Sequence, residues 1–126
     1  MTAQNVVYSA LAVISEAREE AGNYEAEVLI GQINILLGEY FSIQNALMKR
    51  RGANPFAEPP EIADLSDDIS YDWQLTRMVL PYRLAGYIVL DDEEFSKMNW
   101  FMAQAEINLR SAVPAREEPI IDVYGG

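Results

Sequence analysis

The strongest structural signal in the sequence is a run of apolar residues, separated alternately by three and four positions, in the first half of the chain. This spacing places them on one side of an α-helix, and it predicts a long helix at residues 24–49. A second apolar line runs beside the first, so the helix has more apolar surface than one small subunit can cover. The first line comprises Ala26, Leu29, Ile33, Leu36, Tyr40, Ile43 and Leu47, and the second comprises Ile30, Leu37, Phe41 and Met48.

Two glycines interrupt this predicted helix. Gly31 and Gly38 each lower helix stability by ~1 kcal/mol relative to alanine. They indicate the close approach of another helix, or a bend. They do not indicate a phosphate-binding loop, because both lie inside an apolar helical pattern.

Two further helices carry recognisable boundary residues. One is predicted at residues 3–21, where Thr2 supplies an N-cap and Gly22 a C-terminal stop. Another begins near residue 71 and contains Pro81. A proline inside a helix removes a backbone hydrogen bond, so Pro81 either kinks this helix or separates a short turn from the main helix.

The acidic run DDEE, residues 91–94, joins this helix to the last one. Asp91 is a candidate N-cap and Glu94 stands three residues further on, which predicts a tight hairpin whose second helix covers residues 92–113. A pair of carboxylates can also perform acid–base chemistry, but without a second acidic cluster a helix cap is the better interpretation. The sequence thus predicts an all-α helical bundle of about four helices, with residues 1–113 as one domain.

Two segments do not fit a helix. Residues 52–70 contain three prolines and predict a long extended loop. Because a loop of about twenty residues is uncommon inside a compact domain, we expect it to project or to lie along a partner. Residues 114–126 are rich in β-branched and aromatic side chains. They predict an extended C-terminal arm, which either adds as a strand to another subunit or frays.

The composition argues against several functional classes. The chain has no histidine and no cysteine, so it lacks the commonest general base and the commonest transition-metal ligands. We therefore expect no enzymatic activity and no cofactor. A net charge of -11 disfavours non-specific binding to nucleic acid and to anionic membranes. We expect neither a signal peptide nor a membrane-spanning helix, because a basic leading region and an apolar run of ~18 residues are both missing.

Two other motifs have ordinary interpretations. The stretch DLSDDISYDWQL, residues 64–75, has oxygen-bearing side chains at alternate positions. However, Ile69 and Leu75 stand where a calcium-binding loop needs glycine and glutamate, so we predict a polar loop that caps the next helix. The stretch KRR, residues 49–51, could contact a phosphate backbone. Positive charge also suits the C-terminal end of a helix, and this is the favoured interpretation.

Candidate contact residues come from the apolar lines, the loop and the arm. Arg83 joins them because arginine beside an apolar stripe is typical of protein interfaces. Trp73 and Trp100 are expected in the core or at an interface. The predicted interface residues are Tyr40, Phe41, Pro55, Phe56, Arg83, Ile121 and Tyr124.

The order of these features resembles the head–tail connector proteins, also called adaptor or neck proteins, of long-tailed phages. One matching stretch is the central helix INILLGEYFSIQNALMKRRG, residues 33–52, which precedes a proline-containing loop. The second is DLSDDISYDWQLTRMVLPYRLAGYIVLDDEEFSKMNWFMAQAE, residues 64–106, and the third is the ending IIDVYGG, residues 120–126. The family usually has glycine where this chain has Arg83, after LPY.

This resemblance implies a non-enzymatic helical subunit that forms a ring below the portal, with about twelve copies around the axis. Such a ring extends the DNA channel and joins the head to tail or stopper proteins, without sequence-specific DNA binding. The resemblance places the protein in the neck of the virion, and in the host cytoplasm during assembly. An acidic chain suits a channel through which DNA must slide during ejection.

An alternative of a different class remains compatible with the same residues. A small acidic helical adaptor or regulator could bind a host or phage protein through the same apolar surfaces. The genes beside this one would separate the two interpretations, because connector genes lie near those for terminase, portal and capsid.

Overall fold

The structure, a computed structural model, describes residues 1–16 and 18–112. This part of the chain contains six α-helices and one short 3₁₀ helix, and no β-strand. The helices are α1 (Ala3–Val13), α2 (Ala26–Glu39), α3 (Phe41–Arg50), α4 (Trp73–Thr76), α5 (Leu80–Asp91) and α6 (Phe95–Ala112), and the 3₁₀ helix is Arg18–Asn23. The predicted all-α class is confirmed, but the described residues form more helices than the four expected.

Helix α5 lies at the centre of the fold and packs against α1, α2 and α6. Burial of the apolar sides of these helices removes their surface from water and supplies most of the stability of the fold. The core is continuous from α1 to α6. Among its fully or almost fully buried side chains are Val6, Val7, Leu11, Ile33, Leu36, Leu75, Leu84, Ile88 and Ala105.

Pro81 begins a helix rather than bending one. It lies in the first turn of α5, where its missing N–H would have no helical partner in any case. The short helix α4, capped by the side chain of Asp72, precedes it. The structure thus agrees with the second of the two predicted roles, in which the proline separates a short turn from the main helix.

The predicted hairpin of α5 and α6 is present, but its turn differs from the prediction. Asp91 is the last residue of α5 and does not cap α6, which begins at Phe95. Glu93 has a positive φ of 60°, and the N–H of Glu94 donates to the Val89 carbonyl at 2.9 Å. This Schellman geometry normally uses glycine, so a glutamate in its place hides the helix end from sequence analysis.

The first two predicted helices are shorter than expected. Helix α1 ends at Val13 and is followed by Ser15 in a left-handed conformation, with φ of 66°. The predicted helix at residues 24–49 is divided at Tyr40, which ends α2 and precedes α3. The break follows Gly38 by two residues, but helical hydrogen bonds run across it, from the Tyr40 N–H to Leu36 at 3.0 Å and from the Gln44 N–H to Tyr40 at 2.9 Å. A bend caused by this glycine therefore stays a prediction.

The loop at residues 52–70 does not project, which corrects the expectation from its length. Two asparagine side chains on the helices bind its backbone. Asn34 accepts from the Ile62 N–H at 2.8 Å and donates to the Ile62 carbonyl at 3.0 Å. Asn45 does the same with Phe56, at 2.9 and 3.1 Å. These paired hydrogen bonds fix the loop along α2 and α3 without a strand.

The end of the loop also pairs with the N-terminal residues. The N–H groups of Ala3 and Gln4 donate to the carbonyls of Asp67 and Leu65, at 2.9 and 2.7 Å. These donors belong to the first turn of α1 and have no partner inside the helix. The loop therefore completes α1, and its residues belong to the domain rather than to an exposed arm.

Candidate functional site

Arg83 is the centre of the most polar cluster between the packed helices. Its two terminal nitrogens donate to the two carboxylate oxygens of Glu39, at 2.9 and 3.0 Å. One of them also donates to the Tyr40 hydroxyl at 2.7 Å. The guanidinium carbon lies 5.6 Å from the centre of the Tyr40 ring and 5.9 Å from that of Tyr87. Two-point pairing and aromatic faces are the contacts that suit arginine best.

The electrostatics of this cluster hold the arginine firmly in its charged form. Burial alone would lower the pKa of Arg83, but the hydrogen bonds to Glu39 and Tyr40 outweigh burial, so its pKa is raised. Burial raises the pKa of Tyr40, although Arg83 acts in the opposite direction. The Nε of Arg83 is buried and has no hydrogen-bond partner among the described residues. The cluster therefore joins α2 to α5 as a structural ion pair.

Two predicted interface residues, Tyr40 and Arg83, thus meet in one place. The carboxylate that pairs with Arg83 belongs to Glu39 of the same chain. Phe41, the next predicted residue, is half-buried at the start of α3. A role of these three residues in an interface stays a prediction, because their observed contacts lie within the chain.

The other predicted residues lie in the loop and the arm. Pro55 is exposed, whereas Phe56 is half-buried and stacks on Tyr71, with ring centres 6.1 Å apart and planes at 26°. Phe56 therefore attaches the loop to the core. Ile121 and Tyr124 lie outside the described residues, as does the whole of the predicted arm at residues 114–126.

The basic stretch at the end of α3 takes part in one buried contact. Arg51 forms an ion pair with Asp72, whose side chain is only 2% exposed. The N–H of Asp72 donates to Gln44 at 2.8 Å, and its carboxylate caps α4 through the Gln74 N–H at 3.0 Å. Arg51 thus completes a structural junction, which is consistent with a local rather than a nucleic-acid role for this stretch.

Large apolar residues lie on the solvent side of two helices. On α2, Val28 is 51% exposed and Ile35 is 61% exposed. On α6, Trp100 is 58% exposed and Ile107 is 54% exposed. Each pair is seven residues apart, so its members project from the same side of their helix. Trp100 therefore does not belong to the core, and interface anchoring is the expectation that remains for it.

A third apolar patch lies between α4 and α6. Trp73 and Met78 are 54% and 41% exposed, and they line a cavity of about 200 Å³ with Asn108 and Ala112. The Asn108 amide donates to the Met78 carbonyl at 2.6 Å, which links α6 to the segment between α4 and α5. This patch adjoins the end of α6, where the described residues stop.

Acidic side chains of the stretch DLSDDISYDWQL, residues 64–75, form hydrogen bonds within the loop. Asp64 accepts from the N–H of Ser66 at 2.8 Å, and Asp67 accepts from the N–H groups of Ala63 and Asp64. The hydrogen bonds from Ser66 lower the pKa of Asp64. Within residues 1–16 and 18–112, acidic residues form no group of three that could hold a metal ion. The polar-loop interpretation of this stretch is consistent with these contacts.

Comparison with known proteins gives no relative of this chain. The sequence matches no family model and no curated protein, and the fold matches no solved structure. In the part of the chain that the structure describes, none of the helices has the length and apolar character needed to cross a membrane.

The partner of Arg83 and the side chains that hold the loop at residues 52–70 were not predicted from the sequence. Glu39 was not assigned to Arg83, because the two are 44 residues apart. Asn34 and Asn45 were not singled out from the sequence. A signal for them does exist, since both lie on flanks of apolar lines where a polar side chain must find a partner when it is covered.

Proposed function

We propose that this protein is a head–tail connector subunit of a tailed phage. In this role it forms a ring below the portal protein, extends the DNA channel and joins the head to tail or stopper proteins. The proposal combines the resemblance of three sequence stretches with the small, all-α fold and the acidic composition of the chain. It requires no catalytic residue, cofactor or metal.

The observation that carries the proposal is the exposure of large apolar residues on two separate helices. Val28 and Ile35 on α2, and Trp100 and Ile107 on α6, face away from the core of their own chain. Single exposed apolar residues are ordinary, but repeated ones on one helix side are typical of an interaction surface. A subunit that contacts copies of itself and further neck proteins needs more than one such surface.

The charge of the chain supports the same role. Twenty acidic residues against nine basic ones give a net charge of -11. A ring of such chains has little attraction for phosphate groups, so DNA can pass through without being retained. We therefore place the protein in the virion neck, in contact with DNA only as a channel wall.

Inactivation of the gene in the phage that encodes it tests this proposal. An early stop codon should yield DNA-filled heads and separate free tails in electron micrographs. Expression of the protein from a plasmid should restore complete particles. The proposal fails if the stop codon leaves normal, infectious particles, which is the result expected for a dispensable regulator of a host protein.

A biochemical measurement tests the predicted partner directly. The purified chain should bind the portal protein of the same phage and add a ring of density below it in negative-stain images. Tail-tip or capsid proteins serve as matched controls and should not bind. Absence of binding to portal at high protein concentration would remove the connector assignment.

A further inference from the structure

The outer side of α2 is apolar and notched. Val28 and Ile35 project from it, and Gly31 and Gly38 lie on the same side and are exposed. A Cβ added at either glycine would meet no atom within 4 Å. Neither glycine is therefore required by packing inside the chain. Together the four residues form a surface of ridges and notches, which we call the α2 outer surface.

The outer side of α6 carries larger side chains at the same spacing. Trp100, Ala103 and Ile107 follow one another by three and four positions and are all exposed. The opposite side of α6 is buried through Phe101 and Ala105. We call the exposed residues the α6 outer surface. Both α2 and α6 pack on α5, so the two outer surfaces face away from it.

The two surfaces match each other in spacing. Trp100 and Ile107 are seven residues apart, which is about 10.5 Å along a helix, and so are Gly31 and Gly38. A bulky side chain fits where the facing helix has no side chain, because the backbones can then approach closely. The α6 outer surface therefore supplies projections at the interval at which the α2 outer surface has notches.

The charges at the edges of the two surfaces also match. Glu27 and Glu39 lie on either flank of the α2 outer surface, near its two ends. Glu39 pairs with Arg83 of its own chain, yet its side chain stays 46% exposed. Lys97 and Arg110 lie on either flank of the α6 outer surface, near its two ends. The side chains of Lys97 and Arg110 each pair with a glutamate on or next to α6, yet they stay 65% and 75% exposed. Opposite charge at the rim of an apolar contact favours one partner and one register.

We propose that the α6 outer surface of one copy packs against the α2 outer surface of a second copy. Such a contact joins two different surfaces, so each bound pair keeps one free surface of each kind. Repetition of the contact yields a closed ring if the rotation closes, and a filament if it does not. The inference specifies the contact between copies in the proposed connector ring, and its biological setting rests on that proposed function.

Cysteine cross-linking tests the contact, because the chain has no cysteine of its own. Gly31→Cys and Ala103→Cys place one thiol at the middle of each surface, at exposed positions that tolerate a small side chain. One variant carries a tag that changes its mass, and the two are mixed under mild oxidation. We expect mixed dimers to form at least tenfold faster than for a control mixture of Ser42→Cys and Ala103→Cys. Ser42 is exposed on α3 and lies outside both surfaces.

Two further variants sharpen the result. A chain that carries both Gly31→Cys and Ala103→Cys should give a ladder of multimers, since each copy then offers both halves of the contact. Adding Ile35→Glu to the Gly31→Cys chain should reduce cross-linking to the control rate. Ile35 is 61% exposed, and an unchanged circular dichroism spectrum and melting temperature would show that this variant folds normally.

The outcomes separate this contact from the proposed function. Cross-linking no faster than the control overturns the contact, and so does a dominant Gly31→Cys homodimer, which would indicate a two-fold contact instead. If cross-linking fails while the stop-codon phage yields separate heads and tails, the connector function stands without this contact. If cross-linking succeeds while that phage is normal, the contact stands and the connector function falls.

Discussion

Glycines in this chain lie in two contrasting surroundings. Gly86 on α5 is buried, and a Cβ added to it would overlap the terminal methyl group of Met102 on α6. Gly31 and Gly38 on α2 are exposed, and a Cβ added to either would touch nothing. Glycine at 86 permits a close contact inside the chain. The two glycines on α2 lower the stability of their helix and permit no close contact inside the chain. This suggests that they serve contacts with another molecule.

The contrast between inner and outer surfaces is sharpest within α2 itself. Leu36 is fully buried, whereas its neighbour Ile35 is 61% exposed. We expect Leu36→Ala to lower the free energy of unfolding by about 3 kcal/mol, because it removes buried methyl groups and leaves a cavity. Ile35→Ala should change it by less than about 0.5 kcal/mol. Urea denaturation of both variants provides the measurement, and equal losses would contradict the assignment of an outer surface.

A contact on the inner side of α2 leads us to expect that the free energy of unfolding falls at alkaline pH. The Tyr71 hydroxyl donates to the Leu37 carbonyl, and burial raises the pKa of Tyr71 to about 12. An unfolded tyrosine titrates near 10, so the folded state holds this proton more tightly. The stability that this difference in pKa contributes is complete below pH ~10 and is lost as the pH rises through about 12, by about 2.7 kcal/mol at most.

The control for this prediction is Tyr71→Phe. It should be less stable than the parent at neutral pH, and the parent should lose this advantage as the pH rises through about 12, because only the parent has a hydroxyl group that ionises at position 71. Denaturation at a series of pH values measures this difference. A constant difference across the range would show that Tyr71 does not titrate with the expected shift.

Substitution of valine for the buried glycine and for an exposed one tests the difference between their surroundings. Gly86→Val should destabilise the protein by about 2 kcal/mol, since the added methyl groups must displace Met102 from the α5–α6 contact. Gly31→Val is the matched control, because it adds the same atoms to a helix at an open position. Thermal melts that show the same loss for both variants would remove the distinction.

The smallest expected effect has the opposite sign. Gly31→Ala and Gly38→Ala should each stabilise the isolated chain by up to ~1 kcal/mol, because alanine is the better helix former and nothing obstructs its methyl group. The same variants should retain or weaken contacts between copies, but not strengthen them. Destabilisation by either alanine would indicate that the glycine has a use inside the chain after all.

The fold class was predictable because apolar periodicity is a local property of the sequence. The hairpin of α5 and α6, the cap at Thr2 and the separation at Pro81 all follow from residues close together in the chain. The helix ends at Ser15 and Glu93 did not, because each adopts a left-handed conformation that glycine usually marks. The side chains of Ser15 and Glu93 give no sequence signal for a helix end.

The contacts of the candidate residues were less predictable, since they join distant positions. Arg83 was recognised as unusual, but its pairing with Glu39 depends on how α2 crosses α5. The loop at residues 52–70 was expected to project or to lie along a partner because of its length and its prolines. Its path is fixed instead by side-chain amides on α2 and α3, whose hydrogen bonds to backbone leave no repeating pattern in the sequence.

The two asparagine clamps also determine which sequences the loop can tolerate. A primary amide carries the same donor and acceptor as a peptide group, so Asn34 and Asn45 recognise the backbone of Ile62 and Phe56 rather than their side chains. A proline at 56 or 62 would remove one of the two hydrogen bonds of a clamp, because it has no N–H to donate. The natural prolines of the loop stand at 55, 59 and 60, and none occupies a clamped position. Between the clamps, the loop is free to vary in side chain while its course along the helices stays the same.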